Sequence, residues 1–145
     1  MVDMASTICQ VSQSLRRLTL CETDTSGDVG LSFLSELADS QVASLEYINF
    51  NSNLNWFKNE KCVGTLCKVL QRQGSLQVLR LACDLTDDQV QKIRAAVQTQ
   101  DCRVITTKQE DKAYGKELYE IKKAEEAAKK AEEDAKKAAA EAAKK

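Results

Sequence analysis

Ser75-Leu76-Gln77-Val78-Leu79-Arg80-Leu81 is the stretch that decides the fold, with leucines at offsets 0, 3 and 5 from Leu76. The same spacing occurs in Ser14-Leu15-Arg16-Arg17-Leu18-Thr19-Leu20 and in Ser44-Leu45-Glu46-Tyr47-Ile48-Asn49-Phe50. Leu45 follows Leu15 by 30 positions and Leu76 follows Leu45 by 31. A weaker fourth copy, Cys102-Arg103-Val104-Ile105-Thr106-Thr107, begins 26 positions after Leu76. Self-similarity at this period marks a repeat architecture. Within each copy the alternation of strand side chains sends Leu18/Leu20, Ile48/Phe50 and Leu79/Leu81 to a core. Their neighbours face the other way.

Between the copies the apolar spacing changes to that of a helix. Turn-rich Thr23 to Asp28 leads into a helix with Leu31, Leu34, Leu37 and Ala38 on one face. The second loop carries Asn53, Asn55, Trp56 and Phe57, and its helix buries Val63, Leu66, Val69 and Leu70. Gly74 is placed for a left-handed residue at that helix's end. Thr86-Asp87-Asp88-Gln89 reads as a capping box, opening a helix with Val90, Ile93, Ala96 and Val97 inward. Met4, Ile8 and Val11 read as one face of a short helix at residues 1–14, the tail of an earlier repeat or a helical cap. No proline interrupts the alternation.

The repeats, from about Leu15 to Thr107, resemble leucine-rich repeats of the ribonuclease-inhibitor-like type. The L-x-x-L-x-L core stands at Leu15/Leu18/Leu20, Leu45/Ile48/Phe50 and Leu76/Leu79/Leu81. The family's Asn or Cys three residues further on is met by Asn53, while Thr23 and Asp84 hold that place elsewhere. The resemblance implies an α/β solenoid, with parallel strands on the concave side, helices on the convex side and three full repeats plus a final strand. It also implies a protein-interaction module or scaffold that docks its partner on the concave face. The outward rows are then expected to read Arg17–Tyr47–Val78–Val104, Thr19–Asn49–Arg80–Thr106 and Cys21–Asn51–Ala82–Lys108, about 4.8 Å apart between strands. Tyr47, Arg80 and Arg17 lead the candidate contacts because Tyr and Arg dominate binding hot spots. Thr19, Asn49, Asn51 and Val78 complete the set. Trp56 reads either as an exposed loop anchor or, as is commoner for a large aromatic, as cover for the core edge.

From Lys108 to Lys145 the composition is Lys, Glu and Ala-rich. Ala124, Ala128, Ala131, Ala135, Ala138 and Ala142 recur at helical spacing, and five Glu-to-Lys pairs run from Glu125–Lys129 to Glu141–Lys145 in the favourable i,i+4 orientation. The segment reads as a water-exposed helix acting as a spacer. Self-association through an alanine-seamed coiled coil is the alternative, though alanine buries little area. A polybasic tether fails because Glu cancels Lys.

The 145 residues carry 21 basic and 22 acidic side chains. Residues 1–107 hold 10 Lys+Arg and 12 Asp+Glu, hence −2, and residues 108–145 hold 11 and 10, hence +1. No global field favours nucleic acid or an anionic membrane. No apolar run approaches the roughly 20 residues of a membrane span, and the N-terminus lacks the pattern of a signal peptide. The six cysteines (Cys9, Cys21, Cys62, Cys67, Cys83 and Cys102) fall inside the repeat pattern, so free thiols in a reducing, cytoplasmic setting are expected.

Catalysis finds no foothold. There is no histidine, the five glycines form no phosphate loop, and Cys62-x4-Cys67 lacks zinc spacing. Asp87 and Asp88 are adjacent in a first helical turn, where they do not face each other and suit the dipole. A non-catalytic chain without metal or cofactor is expected. The runner-up is a structural or filament-associated protein whose charged helix is the working part.

Overall fold

The computed structural model describes residues 14–99 and 101–142. The helix read at Met4, Ile8 and Val11, together with Cys9 and the Glu141–Lys145 pair, lies outside the side chains described.

Four three-residue strands, β1 (Arg17–Thr19), β2 (Tyr47–Asn49), β3 (Val78–Arg80) and β4 (Arg103–Ile105), form one parallel sheet in sequence order. Helix α1 (Gly27–Asp39) follows β1, α2 (Leu54–Phe57) and α3 (Glu60–Leu70) follow β2, and α4 (Asp87–Ala96) follows β3. Helix α5 (Lys108–Ala142) closes the described chain. The protein is therefore mixed α/β with a parallel four-stranded sheet and a long C-terminal helix. It divides into two compact units, Met1–Lys108 and Gln109–Lys145.

The strands pair where the spacing of the leucines places them. Leu18, Ile48, Leu79 and Val104 are Cα partners along one row. Leu45, Ile48, Phe50, Leu79 and Leu81 are all fully buried. Pairing continues past the short strands: the Leu20 N–H donates to Asn49 O at 2.9 Å and the Phe50 N–H to Arg80 O at 3.0 Å. Parallel strands need a long crossover, and α1, α3 and α4 supply it. Each is amphipathic and packs its apolar stripe inward: Phe33, Leu34 and Leu37 from α1, Val63, Leu66, Val69 and Leu70 from α3, Ile93 and Ala96 from α4. Starts are marked by side-chain caps. Ser26 and Asn59 accept from the first-turn N–H groups of α1 and α3, and Thr86 with Gln89 forms the complete capping box on α4.

Three details depart from the sequence reading. First, β4 sits one residue out of the expected register. Arg103, not Val104, lies opposite Val78, and Ile105, not Thr106, lies opposite Arg80. A shift of one residue exchanges the faces of every side chain, and this one turns Val104 towards the core cluster and leaves Arg103 exposed. Lys108 accordingly begins α5 instead of ending an outward row, and it pairs with Asp84 at 3.5 Å. Second, Gly74 is not left-handed: no described glycine has a positive φ. Helix α3 ends earlier, and the Arg72 and Gln73 N–H groups donate to Val69 and Leu70 carbonyls. The positive angles belong to Glu22, Asp24, Ser52 and Asp84, all in loops after strands (φ 45–62°). Third, the loop holding Trp56 and Phe57 contains the one-turn helix α2.

Helix α5 is 35 residues long, which spans about 52 Å at 1.5 Å per residue. From Tyr119 to Ala140 every residue is exposed. Glu132–Lys136 and Glu133–Lys137 close at 2.5 and 2.8 Å. Such a helix rests on local propensity and i,i+4 pairs, since no apolar face of that stretch is buried.

Candidate functional site

The face of the sheet opposite the helix-packed row carries two outward rows, Arg17–Tyr47–Val78–Arg103 and Thr19–Asn49–Arg80–Ile105. The residues singled out from the sequence do come together there, but they do not share one environment.

Arg17 and Thr19 are exposed, and Val78 and Arg80 are half-buried. Tyr47 is only 8% exposed. Its ring lies beneath the Arg17 guanidinium, 4.3 Å from centroid to Cζ, and its hydroxyl accepts from Arg80 Nη1 at 2.9 Å. Tyr47 is thus the post between two arginines: a cation over the ring face and a charged donor at the phenol edge. Beside it, Glu46 pairs with Arg16 at 3.6 Å.

Asn49 and Asn51 hold backbone and present little to solvent. Asn49 Oδ1 accepts from the Asn51 N–H at 3.1 Å, and Asn51 Oδ1 accepts from the Ala82 N–H at 2.9 Å. Both are buried, so the side-chain oxygens complete the ladder where the strands end.

Trp56 is not an exposed anchor. It is fully buried, with ring centroids of Phe33 and Phe50 each 5.8 Å away and Nε1 donating to Thr25 Oγ1 at 2.8 Å. The indole is too large to leave in water when three elements converge to cover it. Gly30 is the reason it fits: a Cβ there would overlap the ring, within 2.6 Å of Cδ2.

Arg103 is the outward residue that the sequence reading missed. Its signal was parity: with Val104 as the apolar member of β4, the residue before it must point away.

Among the described residues no group of three or more His, Cys, Asp or Glu is placed to hold a metal ion, and no helix is long and apolar enough to cross a membrane. The five described cysteines are free thiols, two buried and three half-buried. Burial pushes the Cys62, Cys83 and Cys102 thiols up to about 11, and Asp28 adds to the rise at Cys62. Because the folded value lies above the unfolded one, these thiols stay protonated in the folded chain as pH passes through the range where an unfolded thiol ionises near 8.5. Their contribution to stability is complete below that range and is lost as pH rises towards 11. At pH 8.5 all three should react with iodoacetamide at least about tenfold more slowly in the folded chain than in urea, because the thiolate is the nucleophile. Equal rates, read by mass spectrometry at each site, would contradict that protection.

Compared with family models, curated proteins and solved structures, the chain matches none of them.

Proposed function

We propose that residues 15–107 form a short leucine-rich-repeat array of the ribonuclease-inhibitor-like type. It serves as a non-catalytic module that docks a protein partner on the outward strand face, with α5 as spacer. The observation carrying this reading is the sheet itself. Four parallel strands in sequence order set a fixed lattice on that face, in which Arg17, Thr19, Val78, Arg80 and Arg103 reach solvent while Tyr47, Asn49 and Ile105 are buried. A rigid lattice favours binding because its side chains lose little freedom when a partner arrives. Loop-borne contacts would have to be ordered first. Free thiols suit a reducing compartment such as the cytoplasm.

The test is affinity capture with the whole chain, with an Arg17→Glu/Arg80→Glu variant and with a chain truncated before Asp111. Partners that the truncated chain retains and the variant loses, with unchanged circular dichroism, support the strand face. The exposed stretch of α5 favours a second reading, a filament-associated protein in which the helix makes the contact. Loss of every partner on truncation, with the strand variant unaffected, would replace the first reading by the second.

A further inference from the structure

The three tyrosines stand in different environments. Tyr47 is buried, with its hydroxyl bonded to Arg80, and Tyr114 is half-buried. Tyr119 is 64% exposed and opens the stretch of α5 whose side chains, as far as Ala140, all meet water. Packing therefore does not account for an aromatic ring at this position. Helix propensity does not account for it either, since Tyr ranks below the Ala, Glu and Lys that make up the rest of the stretch. We propose that Tyr119 is a phosphoacceptor, modified by a tyrosine kinase whose peptide groove is basic, and that three lysines of α5 hold the phosphate once it is attached.

Two arrangements of charge surround the ring. Along the chain its neighbours are acidic on both sides, Glu117 and Glu120, which complements a basic groove. Around the helix the neighbours are basic, because residues three and four apart share a face while those one or two apart do not. Lys116 stands at i−3, Lys122 at i+3 and Lys123 at i+4, all three exposed. Long helical side chains lean over the turn before their own Cα, which sets Lys122 and Lys123 towards Tyr119 and Tyr119 towards Lys116. The ion pairs Glu132–Lys136 and Glu133–Lys137 lie further along the helix. The remaining neighbour, at i−4, is Gly115. A kinase groove takes its substrate extended, so the helix must open locally around the acceptor. Glycine is the poorest helix former after proline, and a Cβ at Gly115 would meet nothing within 4 Å, so packing does not demand it. It weakens the helix one turn before the ring. In the transfer, Tyr119 Oη bonds to the γ-phosphorus of a nucleoside triphosphate as the bond from that phosphorus to the β,γ-bridging oxygen breaks. The nucleoside diphosphate leaves with the electron pair, and the phenol proton passes to the kinase's carboxylate base. The new group carries about −1.5 to −2 charges, and the three lysines meet it with charge-assisted hydrogen bonds.

The experiment incubates the full chain with ATP, Mg²⁺ and a recombinant tyrosine kinase active on a glutamate–tyrosine copolymer, and maps the phosphate by mass spectrometry. Tyr119 should take at least about tenfold more phosphate than Tyr47 or Tyr114, because it alone is open without unfolding a packed side chain. Tyr119→Phe should remove that label. Gly115→Ala should slow the initial labelling about threefold to fivefold by stiffening the helix. In ³¹P NMR the second ionisation of the phosphate should fall below its usual value of about 6. It should move back up in the phosphorylated Lys116→Gln/Lys122→Gln/Lys123→Gln chain. No label at Tyr119 while the copolymer is labelled, or equal label at Tyr47 or Tyr114, overturns the acceptor. An unchanged rate in Gly115→Ala overturns the part given to the glycine. Label at Tyr119 with identical ³¹P titrations in the two chains overturns the lysine clasp.

Discussion

Trp56→Ala is expected to lower the stability of the Met1–Lys108 unit by about 3–5 kcal/mol, the range for emptying a buried large aromatic site. Marginal domains have only about 5–15 kcal/mol in total, so the variant should be close to unfolding at 37 °C. The indole is the largest fully buried side chain and touches rings from two other elements, Phe33 of α1 and Phe50 after β2. Removing it takes a packing partner from both and a hydrogen-bond donor from Thr25. The converse change, Gly30→Ala, puts a methyl into the ring and should cost about 1–3 kcal/mol as overpacking. The two substitutions touch the same space, so their effects should not add. In the double variant the added methyl fills part of the vacated volume, and the combined loss should be smaller than the sum. Urea denaturation of the four chains measures this, with Leu54→Ala (38% exposed) as the neutral control. A loss below about 1 kcal/mol in Trp56→Ala would contradict the burial on which the argument stands.

Asn53→Leu should be the other severe variant, for a polar reason. The side chain is 3% exposed and uses its whole amide. Nδ2 donates to the carbonyls of Leu20 at 2.7 Å and Phe50 at 3.0 Å, while Oδ1 accepts from the Thr23 N–H at 3.1 Å and the Thr23 hydroxyl at 2.8 Å. One side chain thereby ties the loop after β1 to the loop after β2. Leucine keeps the branched shape and removes all four bonds. A buried polar group left without a partner costs about 1–3 kcal/mol, so the loss should exceed about 2 kcal/mol even if water reaches one carbonyl. Hydrogen exchange locates the effect: protection should fall at Thr23, while the Arg103 amide, bonded to Gln77 O, should keep its relative rate. Uniform loss across the sheet would mean that Asn53 acts only on global stability.

Much of this was legible in the chain because its causes are local. The pleat has a period of two, so Leu18, Ile48 and Leu79 had to share a face once the heptapeptides were read as strands. The Thr86–Gln89 box is complete within four residues, and the α5 pairs within five. The rest was written in contacts about 30 residues apart. Nothing near Trp56 announces that Gly30 leaves room for it, and although the rows set Arg17 and Arg80 on the strands beside Tyr47, nothing announces that one stacks on its ring and the other bonds its hydroxyl, leaving it buried. The β4 register was missed because Cys102-Arg103-Val104 lacks the large leucines that anchor the earlier copies. Its pairing is settled by β3, where the Arg103 N–H reaches Gln77 O and the Leu81 N–H reaches Ile105 O.

Residue spacing alone thus determined the four strands, the helices α1, α3, α4 and α5, and the apolar side of β1 to β3 and of α1, α3 and α4, because backbone geometry converts sequence offsets directly into faces. Tertiary structure decided which outward residues are buried supports, such as Tyr47 and Asn49, and which are exposed, such as Arg17 and Arg103. Exposure depends on what neighbouring units place beside a side chain, and a one-residue slip between parallel strands exchanges Val104 for Arg103 without changing any local preference.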